Sequence, residues 1–410
     1  MTSSQVAEGD DAISSGRTRS LYAIVITCFL IAMFDGLDIN AITFTAPVLA
    51  RAWGITPAQM APVFLATSAG AVVGYIACGA LVVRWGQRTV AVASVLLFSL
   101  GTLATVTAID IITMSLLRFV TSVGLGGALP VAVAMAAGVM PARHRGTAAI
   151  LVATGLSAGG VVGGVLGAPL MAHFGWTAIF IVGGILPLPL LPAILHLFGT
   201  AQPADAATKG EGGKLVGELF RQGLAARTTL LWLFSFLVFI DAYALLYWIP
   251  SLLSGMGMPS ELAPASTAVF SMGGLVGNIA LTLLISRLGA PRTLMVASAV
   301  GLVSMAVFGL LHAPLDLMMP LVFGIGAGSI PCCVGQSALA VAFYPDRLRA
   351  AGIGWAAAVG RIGSIFGPAA GGAALSLQLA PQQIILAATL PVFCAFLVLV
   401  VLAGRKHQGA

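Results

Sequence analysis

Hydrophobic residues fill this chain in long, unbroken stretches that short polar or basic segments separate. Most stretches reach about twenty residues, the length that an α-helix needs to cross a bilayer. They do not show the alternation of polar and apolar residues that is typical of membrane β-barrel strands. The pattern therefore predicts twelve membrane-spanning helices, spans 1 to 12, with approximate limits 21–48, 59–83, 89–109, 112–138, 147–171, 177–198, 229–253, 264–286, 292–312, 315–343, 350–376 and 382–403.

Composition supports this prediction, because 59% of the residues are hydrophobic and only 8% are charged. Soluble domains carry about 25% charged residues, so the class of soluble proteins is excluded. The chain is predicted to be an all-α polytopic membrane protein.

The basic residues predict the topology. If the N-terminus is cytoplasmic, all but three of the 19 lysines and arginines fall in cytoplasmic segments. The exceptions are Arg51, which is outside, and Arg118 and Arg361, which lie within spans. Cytoplasmic loops are enriched in these residues, so both termini are predicted to be cytoplasmic. The net charge of +6 is explained by topology and does not indicate nucleic-acid binding.

A polar stretch divides the spans six and six. Residues 199–228 are predicted to form a cytoplasmic linker between an N-terminal six-helix bundle, 21–198, and a C-terminal one, 229–403. Residues 1–20 and 404–410 are predicted to be cytoplasmic tails.

The two halves repeat each other. Residues Arg88–Ser94 recur 204 positions later as Arg292–Ser298. Glycines follow the same offset, since Gly159 and Gly163 correspond to Gly363 and Gly367. Two parallel six-helix repeats related about the membrane normal are the architecture of the major facilitator superfamily. Glycines four residues apart allow helices to approach closely, either at the seam between the halves or in plain tight packing.

Five charged residues lie inside the predicted spans: Asp35, Asp38, Arg118, Asp241 and Arg361. An ionisable group at bilayer depth costs several kcal/mol, so those that persist usually line a polar pathway and pair with another group. Function is therefore expected at these five positions.

Asp35 and Asp38 project from one face of span 1, about one turn apart. Two close, poorly solvated carboxylates oppose simultaneous ionisation, so the pair is predicted to couple transport to protons. The alternative is that one aspartate is the fixed partner of an arginine.

Arg118 offers a planar fork that matches a carboxylate. It is expected either to bind a substrate carboxylate or to neutralise a span 1 aspartate, and both roles can alternate. Arg361 is expected to have a structural or gating role or to contact substrate. Asp241, near the middle of span 7, is predicted to face a cavity and to bind substrate there.

Several motifs resemble a known family. The segment Gly79-Ala-Leu-Val-Val-Arg84-Trp-Gly86-Gln-Arg88 resembles the loop signature of the major facilitator superfamily, with Val83 where the family has Asp. Phe34-Asp35-Gly-Leu-Asp38, with Arg118-Phe and the following Gly124-Leu-Gly126-Gly-Ala-Leu-Pro130, resembles its aromatic acid:proton symporter family.

This resemblance implies a bacterial inner-membrane importer of benzoates, hydroxybenzoates or phenylpropionates. The loop residues Arg84, Gly86 and Arg88 would then have gating or structural roles. An aromatic ring needs apolar and π surfaces, for which Phe34, Tyr243 and Trp248 are candidates. Gln336 and Asn278 are the uncharged candidates for a ring hydroxyl.

Two other functions stay open, a proton-coupled exporter of drugs or organic cations and a membrane sensor of aromatic acids. The sequence contains no nucleotide-binding loop, which favours an ion gradient as the driving force. It shows no nucleophile paired with a base and no metal-ligand spacing, so a non-enzyme without cofactor or metal is expected. The predicted partners are a small aromatic carboxylate, protons and lipid, with no nucleic acid, and the protein is expected to be a monomer.

Overall fold

The computed structural model of the chain describes residues 3–141, 144–198, 217–221, 224–311 and 315–404. Helices fill nearly all of these ranges, as the hydrophobic pattern predicts. In order, spans 1 to 12 are the helices Ser3–Ala52, Ala61–Trp85, Gln87–Thr105, Ile111–Val139, Arg145–Phe174, the pair Thr177–Ile185 and Leu190–Leu197, Ala225–Gly255, Ala263–Leu288, Ala290–Leu310, Leu315–Phe343, Asp346–Ser376 and Pro381–Gly404.

Eleven spans in the described residues are long and apolar enough to cross a membrane. The remaining one is span 11, whose 31 residues include Arg361 and several glycines that lower its hydropathy. Span 11 packs closely against span 7, so it belongs to the same bundle. The fold is all-α and polytopic, as predicted.

The ends of the chain are described only in part. Span 1 continues a helix that begins at Ser3, so residues 3–20 of the predicted tail and the first span form one helix. No proline interrupts the chain before Pro47, so nothing forces the helix to begin later. Most of the predicted linker 199–228 and of the tail 404–410 lies outside the described residues.

The internal repeat is visible in two equivalent turns. Gly86 separates spans 2 and 3 at φ 80° and ψ 157°, and Gly289 separates spans 8 and 9 at φ 77° and ψ 160°. Only glycine adopts this backbone conformation without strain. The loop signature therefore needs Gly86 for its geometry, while Arg84 beside it is exposed.

The repeated glycines pack helices together within each half. A Cβ at Gly159 would overlap the backbone of Met33 on span 1, and one at Gly363 would overlap the backbone of Phe236 on span 7. Gly163 and Gly367 face the same two neighbouring helices, spans 1 and 7. The expectation that these four glycines meet at the seam between the halves is therefore wrong, and the alternative of tight packing holds.

The seam uses the adjacent face of span 5. A Cβ at Gly160 would overlap Ser271 on span 8, and one at Gly164 would lie 2.6 Å from the Cβ of Ala268 on the same helix. These two glycines are also four residues apart. Each comes one residue after a glycine of the predicted pair, Gly159 and Gly163. Gly160 and Gly164 let spans 5 and 8 approach backbone to backbone across the two halves.

Core packing shows that the halves share a buried core at one end. One buried cluster contains residues of both halves, among them Phe44, Phe64, Trp248 and Phe270. The buried residues of each of the other two clusters come from a single half and lie toward the terminal side of its spans, although Leu246 of span 7 packs against the N-terminal cluster. The halves are thus joined at the end away from the termini and separate at the end that carries the termini.

Direct contacts close the joined end. The ring of Phe64 on span 2 stacks on Tyr247 of span 7 at a centroid distance of 4.8 Å and meets Trp248 edge-on at 5.0 Å. Beyond them, Nη1 of Arg51 donates a hydrogen bond of 2.6 Å to Oγ of Ser260. A solute could not pass through this end without breaking these contacts.

Candidate functional site

A central cavity of about 440 Å³ lies between the halves. Its lining comes from both halves and, on spans 4, 5, 10 and 11, from the parts of the helices nearer the termini. The walls are mainly apolar. The polar residues among them are Asn40, Tyr75, Ser157, Tyr243, Ser271, Asn278, Gln336, Ser337 and Arg361.

Arg361 is the one charged side chain among the described residues that line this cavity. Its Nη1 donates a 2.8 Å hydrogen bond to the hydroxyl of Tyr243. Its guanidinium carbon lies 5.6 Å from the ring centroid of Tyr75 and 5.8 Å from that of Phe239, within the range of cation–π attraction. No described carboxylate oxygen lies within 4.0 Å of its nitrogens. The cavity therefore presents a guanidinium that aromatic rings hold and no acid neutralises.

Arg118 is placed differently, because it is fully buried against Asp38. Its Nη2 and Nη1 donate to the two carboxylate oxygens of Asp38 at 2.5 and 3.1 Å, and neither side chain is exposed. Thr102 of span 3 donates a further hydrogen bond of 2.6 Å to Asp38. Of the two roles expected for Arg118, this conformation shows neutralisation of a span 1 aspartate; the side chain does not line the cavity.

Asp35 has no such partner. It is 3% exposed, and its Oδ1 accepts no hydrogen bond in the described part of the chain. Arg361, Asp38 and Arg118 are the charged groups close enough to influence it electrostatically. Its neighbour Gly36 lines the cavity. The two aspartates of span 1 thus differ, since Asp38 is held in a bidentate pair while Asp35 lies unpaired beside the cavity.

Asp241 does not face the central cavity. It lines a second cavity of about 350 Å³ among spans 7, 11 and 12, where its Oδ2 accepts a 2.7 Å hydrogen bond from Ser329. Ala242 and Tyr243 of the same helix face the central cavity. Since successive residues of a helix point about 100° apart, the predicted substrate contact at Asp241 is not found in this conformation.

Of the aromatic residues predicted to contact the substrate ring, one lines the central cavity and two do not. Tyr243 and the polar candidate Gln336 line the central cavity. Trp248 belongs to the joined end, where its Nε1 donates to the carbonyl oxygen of Pro368 at 3.1 Å. Phe34 packs in the core of the N-terminal half. Neither Trp248 nor Phe34 is part of the described lining, contrary to the expectation that they would contact a ring.

Three residues of the cavity wall were not predicted from the sequence. They are Tyr75, Phe239 and Asn40. Phe239 lies four residues before Tyr243, one helical turn along the same face, so its stacking on Tyr243 at 5.8 Å could have been inferred. Asn40 is a polar residue in the middle of an apolar span, a placement that indicates a residue facing a cavity or the interior of the bundle. Nothing in the sequence distinguished Tyr75 from a packing aromatic.

Comparison with known proteins places the chain in a family. A family model of the Major Facilitator Superfamily matches residues 28–368, and the chain belongs to this superfamily of membrane transporters. A gallate transporter of Pseudomonas putida is 32% identical over 408 residues, covering 92% of this chain and 90% of that protein. A 3-(3-hydroxy-phenyl)propionate transporter of Escherichia coli strain K12 is 32% identical over 400 residues, covering 96% and 97%.

Solved structures show the same fold. A bacterial homologue of the human lysosomal transporter Spinster, in an inward-facing and unoccupied conformation, superimposes with a TM-score of 0.70 at 17% identity, covering 95% of this chain and 99% of that one. The nucleoside transporter NupG superimposes with a TM-score of 0.74 at 12% identity, covering 92% and 99%. At these identities the likeness concerns the fold alone.

The buried pair predicts a large effect on stability. Arg118→Ala leaves the Asp38 carboxylate buried without its partner, which should destabilise the protein by about 3–5 kcal/mol. Thermal unfolding of the purified protein in detergent measures this as a lower midpoint. The matched control is Arg84→Ala, because Arg84 is exposed and its removal should leave the midpoint nearly unchanged.

A double variant distinguishes two causes of a lower midpoint: the unpaired buried charge on Asp38 and the loss of the Arg118 side chain itself. Asp38→Leu combined with Arg118→Met replaces both charges with apolar side chains closer in volume, so it should recover most of the lost stability. A wild-type midpoint in Arg118→Ala would show that the pair does not stabilise the bundle.

Proposed function

We propose that this protein is a proton-coupled symporter that imports a monocyclic aromatic carboxylate across a bacterial inner membrane by alternating access, with both termini cytoplasmic. The observation that carries the proposal is the unneutralised guanidinium of Arg361, surrounded by aromatic rings in an otherwise apolar cavity. The names of the gallate and hydroxyphenylpropionate transporters support the same substrate class. The substrate is of benzoate, hydroxybenzoate or phenylpropionate type.

The cavity offers complementary surfaces to the two ends of such a molecule. Arg361 can donate two parallel hydrogen bonds to a carboxylate, the strongest contact available to a small anion here. The rings of Tyr75, Phe239 and Tyr243 lie around that guanidinium and offer apolar and π surfaces to the substrate ring. We therefore assign the anchoring role to Arg361 and the pairing role to Arg118.

Asp35 is the better candidate for proton coupling. Asp38 is already compensated by Arg118 and Thr102, whereas Oδ1 of Asp35 has no hydrogen-bond partner in the described residues and the carboxyl group lies within the electrostatic influence of Arg361. An ionised Asp35 competes with the substrate carboxylate for that guanidinium. A protonated Asp35 leaves Arg361 to the substrate, so a proton and the acid would be carried together.

The packing supports an inward-facing state in this scheme. The cavity lies toward the termini, which the distribution of arginines predicts to be cytoplasmic. To face outward, the protein would separate Phe64 from Tyr247 and Arg51 from Ser260. The rival function, export of organic cations, is disfavoured because the only described charge on the cavity wall is positive.

Uptake into proteoliposomes tests the function. With an imposed inside-alkaline pH gradient, the purified protein should accumulate radiolabelled benzoate-type acids above the external concentration, and an uncoupler should abolish the accumulation. Efflux of organic cations would support the exporter instead. Binding of the acid without any flux would indicate a sensor.

Arg361→Lys tests the anchor. Lysine keeps the charge but loses the planar fork and its stacking on aromatic rings, and hydrogen bonds to charged groups contribute about 1.5–3 kcal/mol each. The dissociation constant of a benzoate-type acid should rise about tenfold to a hundredfold, measured by calorimetry on the purified protein. Arg84→Lys, at the exposed end of span 2, is the control. Wild-type affinity in Arg361→Lys would mean that the carboxylate is held elsewhere.

Asp35→Asn tests the coupling. The amide cannot exchange a proton, so uphill accumulation driven by a pH gradient should be lost. Counterflow of labelled against unlabelled acid needs no net proton movement and should continue. Asp38→Asn should instead lose both activities and have a lower thermal unfolding midpoint, because Arg118 loses its charged partner. Full accumulation by Asp35→Asn would rule out this residue as the proton carrier.

A further inference from the structure

Three amide side chains on the cavity wall have polar atoms without partners in the described residues. One of them, Asn40 on span 1, donates its Nδ2 to the carbonyl oxygen of Gly36 and leaves only its Oδ1 without a partner. The other two lie on spans 8 and 10. Asn278 on span 8 is 1% exposed, and neither its Oδ1 nor its Nδ2 has a hydrogen-bond partner in the described residues. Gln336 on span 10 is 4% exposed, and its Oε1 has none. Both side chains line the central cavity.

This arrangement is unusual because buried polar groups are nearly always hydrogen-bonded. Thr282, by contrast, satisfies its hydroxyl locally, since it donates to the carbonyl oxygen of Asn278 at 2.9 Å. A buried amide that lacks partners is unfavourable. Asn278 and Gln336 lie together on the wall of one cavity, which indicates that something in the cavity supplies the missing hydrogen bonds.

The two amides belong to helices in close contact. Gly277, beside Asn278, packs against span 10 so tightly that a Cβ there would lie 2.5 Å from a side-chain atom of Pro331. Gln336 follows on the same helix as Pro331. The amides therefore lie on the wall formed by spans 8 and 10, whereas Arg361 belongs to span 11 and contacts rings of spans 2 and 7.

We infer that Asn278 and Gln336 form a subsite for a ring hydroxyl, so that the substrate is a hydroxylated aromatic acid and not an unsubstituted one. A hydroxyl is both a donor and an acceptor, and an amide group also offers both. The amides are neutral, which disfavours a second carboxylate or a cation in this position. This inference rests on the proposed function, with the carboxylate of the same molecule bound at Arg361.

The subsite predicts selectivity. A site that is built to hydrogen-bond a substrate hydroxyl disfavours the analogue without it, because its own polar groups are then left unpaired. Wild-type protein should bind 3- or 4-hydroxybenzoate at least about tenfold more tightly than benzoate, since one hydrogen bond is worth roughly that factor.

The test uses Asn278→Leu and Gln336→Leu in the full-length protein. Both variants should lose most of the preference for hydroxybenzoate and keep or improve their binding of benzoate, which also shows that they fold. The control is Ser122→Ala. Ser122 is another buried side chain without a recorded partner, but it lies outside the described cavity lining, so its removal should leave the preference unchanged.

Calorimetry on purified protein, with benzoate and both hydroxybenzoates as probes, is the primary measurement. Equal affinities in the wild type, or an unchanged preference in both leucine variants, would overturn the inference. If a leucine variant does not fold, Asn278→Ser or Gln336→Met replaces it in the same comparison. Failure of the proposed function looks different, because no aromatic acid of any kind would then be accumulated in proteoliposomes.

Discussion

The cost of placing a charge at membrane depth is the constraint on which this architecture depends. In the N-terminal half the constraint is met by the pair of Asp38 and Arg118, which ties span 1 to span 4 and takes a third bond from Thr102 of span 3. An arginine whose charge is paired in this way is part of the scaffold. The recorded contacts of Arg361 in the described part of the chain are with aromatic rings and one tyrosine hydroxyl, so it is the cation that lines the cavity without a carboxylate partner there.

The two repeats share a backbone plan but not their charges. Gly159 packs on Met33 and Gly363 on Phe236, so the same helix contacts recur in both halves. In that correspondence Asp241 on span 7 takes the place of Asp38 on span 1. No arginine meets it in the described residues; Ser329 donates its one recorded hydrogen bond. A symmetric framework can therefore carry an asymmetric site, with the compensated charge pair in one half and the available cation in the other.

The sequence was sufficient for the fold because membrane helices are set by the length of apolar runs, and the repeat was visible in loop residues and glycines. It also isolated the five membrane charges, since charges are rare there. It could not show which arginine faces the cavity. That depends on the rotation of each helix, and one residue along a helix turns a side chain by about 100°. The same limit explains why Gly160, and not Gly159, lies at the seam, and why Asp241 faces away while Tyr243 faces inward.

The distribution of the buried clusters also constrains how the molecule could move. At the end that carries the termini, each half keeps its own core, so closing the cavity there need not disturb the packing inside either half. At the other end the contacts of Phe64 and Arg51 cross the seam and would have to separate. Under the proposed function, Arg361 of one half and Asp35 of the other would approach as the cavity closes. An anion on Arg361 would then face a carboxyl group, and their mutual repulsion is relieved only when Asp35 is protonated. Closure would thus require the acid and the proton together, which is the condition for symport.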